Sequence, residues 1–303
     1  MSEKSFKKKI SVLGLGQMGR KLAQLCIQNG HPVTVWNRTP GKVHGLNPDH
    51  EAATAAEAIG EAEIVIICVY DNAAVNEILA AVKDKSILRG KTFINFTTGG
   101  PEEVENLESQ LIKSGAAYLN GAIQVAPEQM AMPDTTILMA GDRQAFESCK
   151  EVLDNFGGNI KYLGEKASAS PAMDLATLSW VYASFFGLLY GVALCRSAGI
   201  SLEEYSKVIS EISPSFLEFY KHEIKMVAQE NFEITQSPMS ISVIASQRIT
   251  EAVAAVGLDP VFTDVIAAML RSAKENGLEN QEAAALIKLI EKTVTKSNHV
   301  TMA

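Results

Sequence analysis

Apolar residues in the first half of the chain fall in short runs separated by helical stretches. Ile10–Leu13 (ISVL), Val33–Trp36 (VTVW), 63–69 (EIVIICV) and 92–96 (TFINF) are rich in β-branched and aromatic residues, and each gives way to Gly, Asn or Asp within a few positions. They read as strands. The near-continuous apolar character of 63–69 is that of a parallel strand covered on both faces. Residues 117–120, 135–140 and 160–163 add three more strands. Between them, a 3.6-residue period predicts helices over 17–29, 72–82, 101–114 and 143–155, the third with Pro101 in its first turn. This alternation implies a mostly parallel sheet flanked by helices.

After Gly164 the strand signals stop. Pro171 opens a helix predicted to reach about Arg196 and to stop near Gly199. Ser201-x-x-Glu204 is a capping box that opens the next helix. Further helices are predicted over 214–229, 238–256 and 260–275, each with proline at or near its start, and over 280–294. Asp259-Pro260 offers an N-cap followed by an N1 proline, and Gly257 and Gly277 stand at helix ends. The expected fold is α/β: an N-terminal doubly wound sheet over residues 1–164, then a long interdomain helix and an all-α domain over 165–303.

Composition narrows the class. The chain has 303 residues, 47% hydrophobic and 20% charged, with 27 Lys and Arg against 35 Asp and Glu for a formal net charge of −8. That excludes a disordered or fibrous chain, and the acidic balance argues against general nucleic-acid binding. Cys26, Cys68, Cys149 and Cys195 show no metal-ligand spacing and read as reduced thiols of a cytoplasmic protein. Lys7, Lys8 and Lys9 precede an apolar run that breaks at Gly14 and Gly16, too early for a signal peptide. Residues 175–195 carry no charge over about the length of a bilayer span. Thr177, Ser179, Trp180, Tyr182, Ser184 and Tyr190 interrupt that stretch, so it is expected to be covered by protein, from both domains or a second subunit, with no membrane partner.

Chemistry enters at Gly14-Leu15-Gly16-Gln17-Met18-Gly19, a G-x-G-x-x-G that follows a predicted strand and opens a predicted helix. In this context the motif marks a Rossmann dinucleotide site. Gly14 permits the tight turn, Gly16 lets the backbone approach a pyrophosphate, and Gly19 lets helix pack closely on strand. The helix N-terminus offers free N–H groups to the phosphates. The end of the second strand selects the cofactor. It reads Trp36-Asn37-Arg38-Thr39, with Lys42 close behind and no carboxylate to hold a ribose 2′-OH. Arg38, helped by Thr39 and Lys42, can grip a 2′-phosphate, which favours NADPH (NADP+). Charge-assisted hydrogen bonds of about 1.5–3 kcal/mol each make that preference one to two decades. Loops after later strands are expected to line the same crevice: Cys68-Val69-Tyr70-Asp71, then Thr97-Thr98-Gly99.

The stretch GLGQMGRKLAQLCIQNGHPVTVWNRTPGK resembles the β-hydroxyacid dehydrogenase superfamily, which joins a Rossmann domain to a 6-phosphogluconate dehydrogenase-like helical domain. Residues 118–127 (YLNGAIQVAP) and 168–176 (SASPAMDLA) resemble its imine reductase and reductive aminase branch. The hydroxyacid members carry a lysine acid/base on the long helix, at a position that matches Asp174 here, and a Ser-Gly-Gly-type carboxylate loop where this chain reads Gly121-Ala122-Ile123-Gln124-Val125-Ala126-Pro127. The resemblance therefore implies NADPH-dependent reduction of imines, preferably preformed cyclic imines, with small imine, ketone or amine substrates. A carboxylate at Asp174 suits a cationic iminium, by stabilising it or passing it a proton. Tyr182 lies eight residues on, so it falls on roughly the same helix face. The resemblance makes it a pocket residue and the second catalytic candidate. It also implies substrate contacts at Ile123, Gln124, Val125, Ser215, Phe216, Met239 and Ser242, no metal, and an intertwined homodimer. Thr98 stands where reductive aminases often carry asparagine, which favours imine reduction over ketone–amine coupling. The alternatives are a β-hydroxyacid dehydrogenase or carbonyl reductase, and a non-catalytic NADPH-binding sensor.

Overall fold

Residues Ile64–Ile67 are buried at every position, and their side chains alternate between two cores. Ile64 and Ile66 join one cluster with Ile10, Val12, Val33 and Val35, whereas Val65 and Ile67 join another with Leu13, Phe93 and Leu107. That is the two-residue period of a strand covered on both faces. In the computed structural model, which describes residues 7–291, this strand is β4 at the middle of an eight-stranded sheet.

The strands are β1 (Ile10–Leu13), β2 (Val33–Trp36), β3 (His50–Glu51), β4 (Ile64–Ile67), β5 (Thr92–Asn95), β6 (Ala117–Ile123), β7 (Thr136–Gly141) and β8 (Asn159–Tyr162). Their spatial order is β3-β2-β1-β4-β5-β6-β7-β8. β1 to β6 run parallel, and β7 and β8 run against them, because β6 pairs antiparallel with β7. Helices α1 (Gln17–Gln28), α2 (Ala55–Glu61), α3 (Asn72–Ala81), α4 (Pro101–Lys113) and α5 (Arg143–Asp154) connect the strands. The strand order reverses between β1 and β4, and ligands in open α/β sheets bind outside the carboxyl ends of strands at such a point.

The remaining elements are α6 (Ala169–Ser197), α7 (Leu202–Ala228), α8 (Met239–Ala255) and α9 (Val261–Glu275), with a 3-10 turn at Ala283–Leu286. By contacts the chain forms two compact units, Met1–Trp180 and Val181–Ala303, with the division inside α6. The second unit has a small core of its own, in which Met239, Ala273, Leu278 and Ala285 are buried.

The structure departs from the sequence reading in four places. β3 and α2 lie where no element was expected, although Thr54-x-x-Glu57 is a capping pattern: Thr54 Oγ1 accepts the Glu57 N–H, and Glu57 accepts the Ala53 N–H. β6 runs three residues further, to Ile123, because β7 pairs with it over Leu119–Ile123. Pro214 does not start a helix but lies inside α7, which runs unbroken from the Ser201 cap, since the fixed φ of proline is itself helical and only one backbone bond is lost. The helix expected over 280–294 begins later, after Glu282 pairs with Pro238 and the chain makes the 3-10 turn; residues 292–294 lie outside the described residues.

Candidate active site

The glycines of the first loop meet three different surroundings. Gly14 has φ +97°, and a Cβ there would run into the Cys68 carbonyl. A Cβ on Gly19 would run into the Gly14 carbonyl, which fixes the close approach of α1 to β1. Around Gly16 there is open space. A loop crowded below and clear above leaves its N–H groups facing a ligand, as a pyrophosphate requires. Leu15 is buried, and its N–H donates to Asn37 Oδ1 at 2.8 Å, while Asn37 Nδ2 donates to the Thr39 carbonyl at 2.8 Å. Asn37 thus ties the glycine loop to the end of β2.

This loop borders a cavity of about 810 Å³ at the carboxyl ends of β1, β2 and β4. Gly14, Gly16, Gln17, Met18, Gly19, Asn37, Arg38, Thr39, Cys68, Val69 and Tyr70 line it, together with Thr54 and Glu77, which the sequence reading does not single out. Arg38 Nη1 lies 3.6 Å from Glu77 Oε2, with both side chains more than 70% exposed. Lys42 is outside this lining, and its carbonyl accepts from Arg20 Nη1 at 2.8 Å. Burial pushes the Cys68 thiol up to about 11, so at neutral pH it is a neutral lining group and no nucleophile.

A second cavity of about 280 Å³ shares Met18, Cys68 and Val69 with the first. Thr97, Thr98, Ile123 and Asp174 line it, with Phe96, Asn120 and Leu178. Asp174 is only 8% exposed, and no Lys, Arg or His lies among the described lining residues. Gln124 Nε2 donates to Asp174 Oδ1 at 2.7 Å. Val125 is half-buried against the core cluster that contains Ile137 and Met139. Lys166, a few residues before Asp174, pairs with Glu105 at 3.0 Å on the surface.

A buried polar chain braces the loops of this cavity. Asn95 Nδ2 donates to Asn72 Oδ1 and to the Tyr118 hydroxyl, which donates to Asn120 Oδ1, each at 3.1 Å. The Thr97 N–H donates to Asn95 Oδ1 at 3.0 Å, and the Val69 N–H to Thr97 Oγ1 at 3.2 Å. Burial pushes the Tyr118 phenol well above its ordinary range, so it stays protonated. The sequence held one trace of this network: Asn95 and Asn120 are amides within strands, where an uncompensated polar group is costly.

Five of the candidates lie in the second unit. Tyr182 is 59% exposed and Phe216 is 48% exposed. Ser215 belongs to α7, and Ser242 to the first turn of α8. Met239 is fully buried in the small core.

Residues 9–164 match the NAD binding domain of 6-phosphogluconate dehydrogenase, and 167–292 match the C-terminal domain of NADPH-dependent reductive aminase-like proteins. An NADPH-dependent reductive aminase of Aspergillus oryzae is 34% identical over 194 residues, which is 63% of this chain. That match spans 64% of the relative's own length. Two solved structures align over 94% of this chain and all of their own. They are an imine reductase from a Pseudomonas species (TM-score 0.88, 28% identity) and a reductive aminase from Aspergillus terreus with NADPH4, cyclohexanone and allyl amine (TM-score 0.87, 29% identity).

Proposed function

The chain belongs to the family built on the NAD binding domain of 6-phosphogluconate dehydrogenase, in its imine reductase and reductive aminase branch, and from that membership we propose that it reduces C=N bonds with NADPH. One observation carries this reading: a buried carboxylate, Asp174, lines the cavity that continues from the dinucleotide cleft, and no basic side chain lines it among the described residues. A hydroxyacid oxidation needs a base for the alcohol proton and a cation for the substrate carboxylate. An iminium brings its own positive charge and calls for a carboxylate.

The residues of the larger cavity fit the cofactor. The Gly14–Gly19 loop and the N-terminus of α1 would hold the pyrophosphate, Arg38 and Thr39 the 2′-phosphate, and Cys68 and Val69, which line both cavities, would border the nicotinamide with Thr97 and Thr98 of the smaller one. NADPH, when bound, supplies the hydride. Asp174 stabilises the cationic C=N group and orients its nitrogen. Phe96, Ile123 and Leu178 give the small cavity an apolar wall that suits the ring of a cyclic imine. Tyr182 follows Asp174 by two turns of α6 and is the second candidate to meet the substrate.

The working unit is a homodimer in the cytoplasm. Helix α6 is long and apolar enough to cross a membrane, and its most apolar window is unburied in the single chain. A second copy covers this face in our reading, because Ser179, Tyr182 and Ser184 interrupt it, and the four free cysteines suit a reducing compartment.

The test is NADPH oxidation with 1-pyrroline and other cyclic imines, run beside 3-hydroxy acids with NADP+. We expect turnover of the imines alone. Asp174→Ala should lower kcat by about tenfold or more and leave NADPH affinity intact. Oxidation of hydroxy acids without imine reduction would overturn the reading.

A further inference from the structure

Asp174 does not stand alone in its cavity. Its Oδ1 accepts the Gln124 amide N–H at 2.7 Å, and Gln124 Oε1 in turn accepts the Thr177 hydroxyl at 2.8 Å. Thr177 Oγ1 also lies 2.8 Å from the main-chain carbonyl of Asp174, so one hydroxyl proton faces two acceptors. Gln124 follows the last residue of β6, and its own N–H donates at 3.0 Å to the carbonyl of Thr136, the first residue of β7. Thr177 sits one turn after Asp174 on α6. The two ends of the chain Thr177–Gln124–Asp174 are thus both fixed to regular structure.

We propose that Gln124, oriented by Thr177, is a positioning residue that fixes the Asp174 carboxylate for reaction. The amide has two unlike ends, and a carboxylate can only accept hydrogen bonds. The Thr177 hydroxyl at the carbonyl end therefore selects the orientation in which Nε2 meets Asp174. With Oδ1 engaged, the carboxylate loses rotational freedom, and no bond to Oδ2 forms from the described residues. Oδ2 is the oxygen left for a substrate nitrogen. A group held within a narrow angle contributes to the transition state without reorganising at the moment of reaction. Gln124 was expected to touch substrate, but in this geometry it acts through Asp174. The inference rests on the imine-reduction reading for its kinetic consequence and on geometry alone for its structural one.

The test uses Gln124→Met, which keeps the length and removes both hydrogen bonds. Its kcat for 1-pyrroline should fall about tenfold with the KM for NADPH changed less than twofold. In an Asp174→Asn background the same substitution should cost less than twofold, because its effect passes through the carboxylate. Thr177→Val should give a smaller loss of the same kind. Gln124→Glu would set two carboxylates at hydrogen-bond distance. Its activity should fall at neutral pH and recover towards acid pH, where the pair shares a proton, a profile that a packing defect does not produce. Crystal structures of the wild type and Gln124→Met report the Asp174 rotamer without any turnover. A changed rotamer in the variant supports the assignment. An unchanged rotamer, or equal losses with and without the Asp174 carboxylate, overturns it. Absence of imine reduction by the wild type would instead count against the functional reading, and the rotamer comparison would still decide the role of Gln124.

Discussion

In the proposed reading, cofactor choice turns on Arg38. It lies 3.6 Å from Glu77 across the mouth of the larger cavity, with both groups in water. An exposed pair of this kind is worth about 0–1 kcal/mol, so a 2′-phosphate can displace Glu77 at little cost. Arg38→Ala is expected to raise the KM for NADPH at least tenfold and the KM for NADH less than about twofold, consistent with one or two charge-assisted hydrogen bonds. Steady-state kinetics with both cofactors checks this, and equal effects on the two would remove Arg38 from phosphate binding. Glu77→Gln should act in the opposite direction, because it takes a negative charge away from the same mouth.

At the scale of the element, the second unit depends on one buried carboxylate. Glu282 accepts the N–H groups of Thr235, Gln236 and Ser237 and the Thr235 hydroxyl, which ties the loop before α8 to the turn after α9. Burial pushes its carboxyl up, but these donors outweigh burial and hold it below the ordinary range. Its contribution is therefore present above the unfolded value and lost as pH falls through the folded one. Nearby Glu223 is pushed the other way, by burial and by the charge of Glu282, although the Ala284 N–H partly opposes this. Its ionisation costs stability as pH rises. Glu282→Gln should destabilise the unit by about 1–3 kcal/mol at neutral pH, less at pH 4, because an amide turns its own N–H towards a donor. Glu223→Gln should raise Tm at pH 8 and leave it unchanged at pH 4. Thermal unfolding of each variant at both pH values reads these signs directly.

For the molecule as a whole, the largest unexplained feature of the single chain is its exposed apolar surface. Trp180, Tyr182, Phe185, Phe186 and Leu189 on α6 are each at least 45% exposed. Large contiguous apolar patches are rare on monomers and usual at obligate interfaces. Light scattering should give twice the chain mass of 32.7 kDa. Phe185→Asp with Leu189→Asp should release monomer and lower activity, since two charges in a desolvated interface have no partners. An active wild-type monomer would refute the assembly.

The α/β half, the helical half and the dinucleotide loop are legible in the order of residues, because they rest on local signals: runs of β-branched residues, a 3.6-residue period and glycines at fixed spacing. Asp174 entered through the family resemblance of residues 168–176, at the head of the uncharged run 175–195. The sequence reading missed α2 because the Thr54 cap was not read as one, and it split α7 at Pro214 because local rules cannot tell a proline that opens a helix from one that a long helix tolerates. The tertiary structure alone decided what surrounds Asp174. Gln124 reaches it from the end of β6, 50 residues away in the chain, and is oriented in turn by Thr177 of α6. The bracing chain through Asn95, Tyr118 and Asn120 depends on β5 and β6 lying side by side. Such contacts join positions that no sequence spacing relates, and only the sheet register brings them within hydrogen-bond distance.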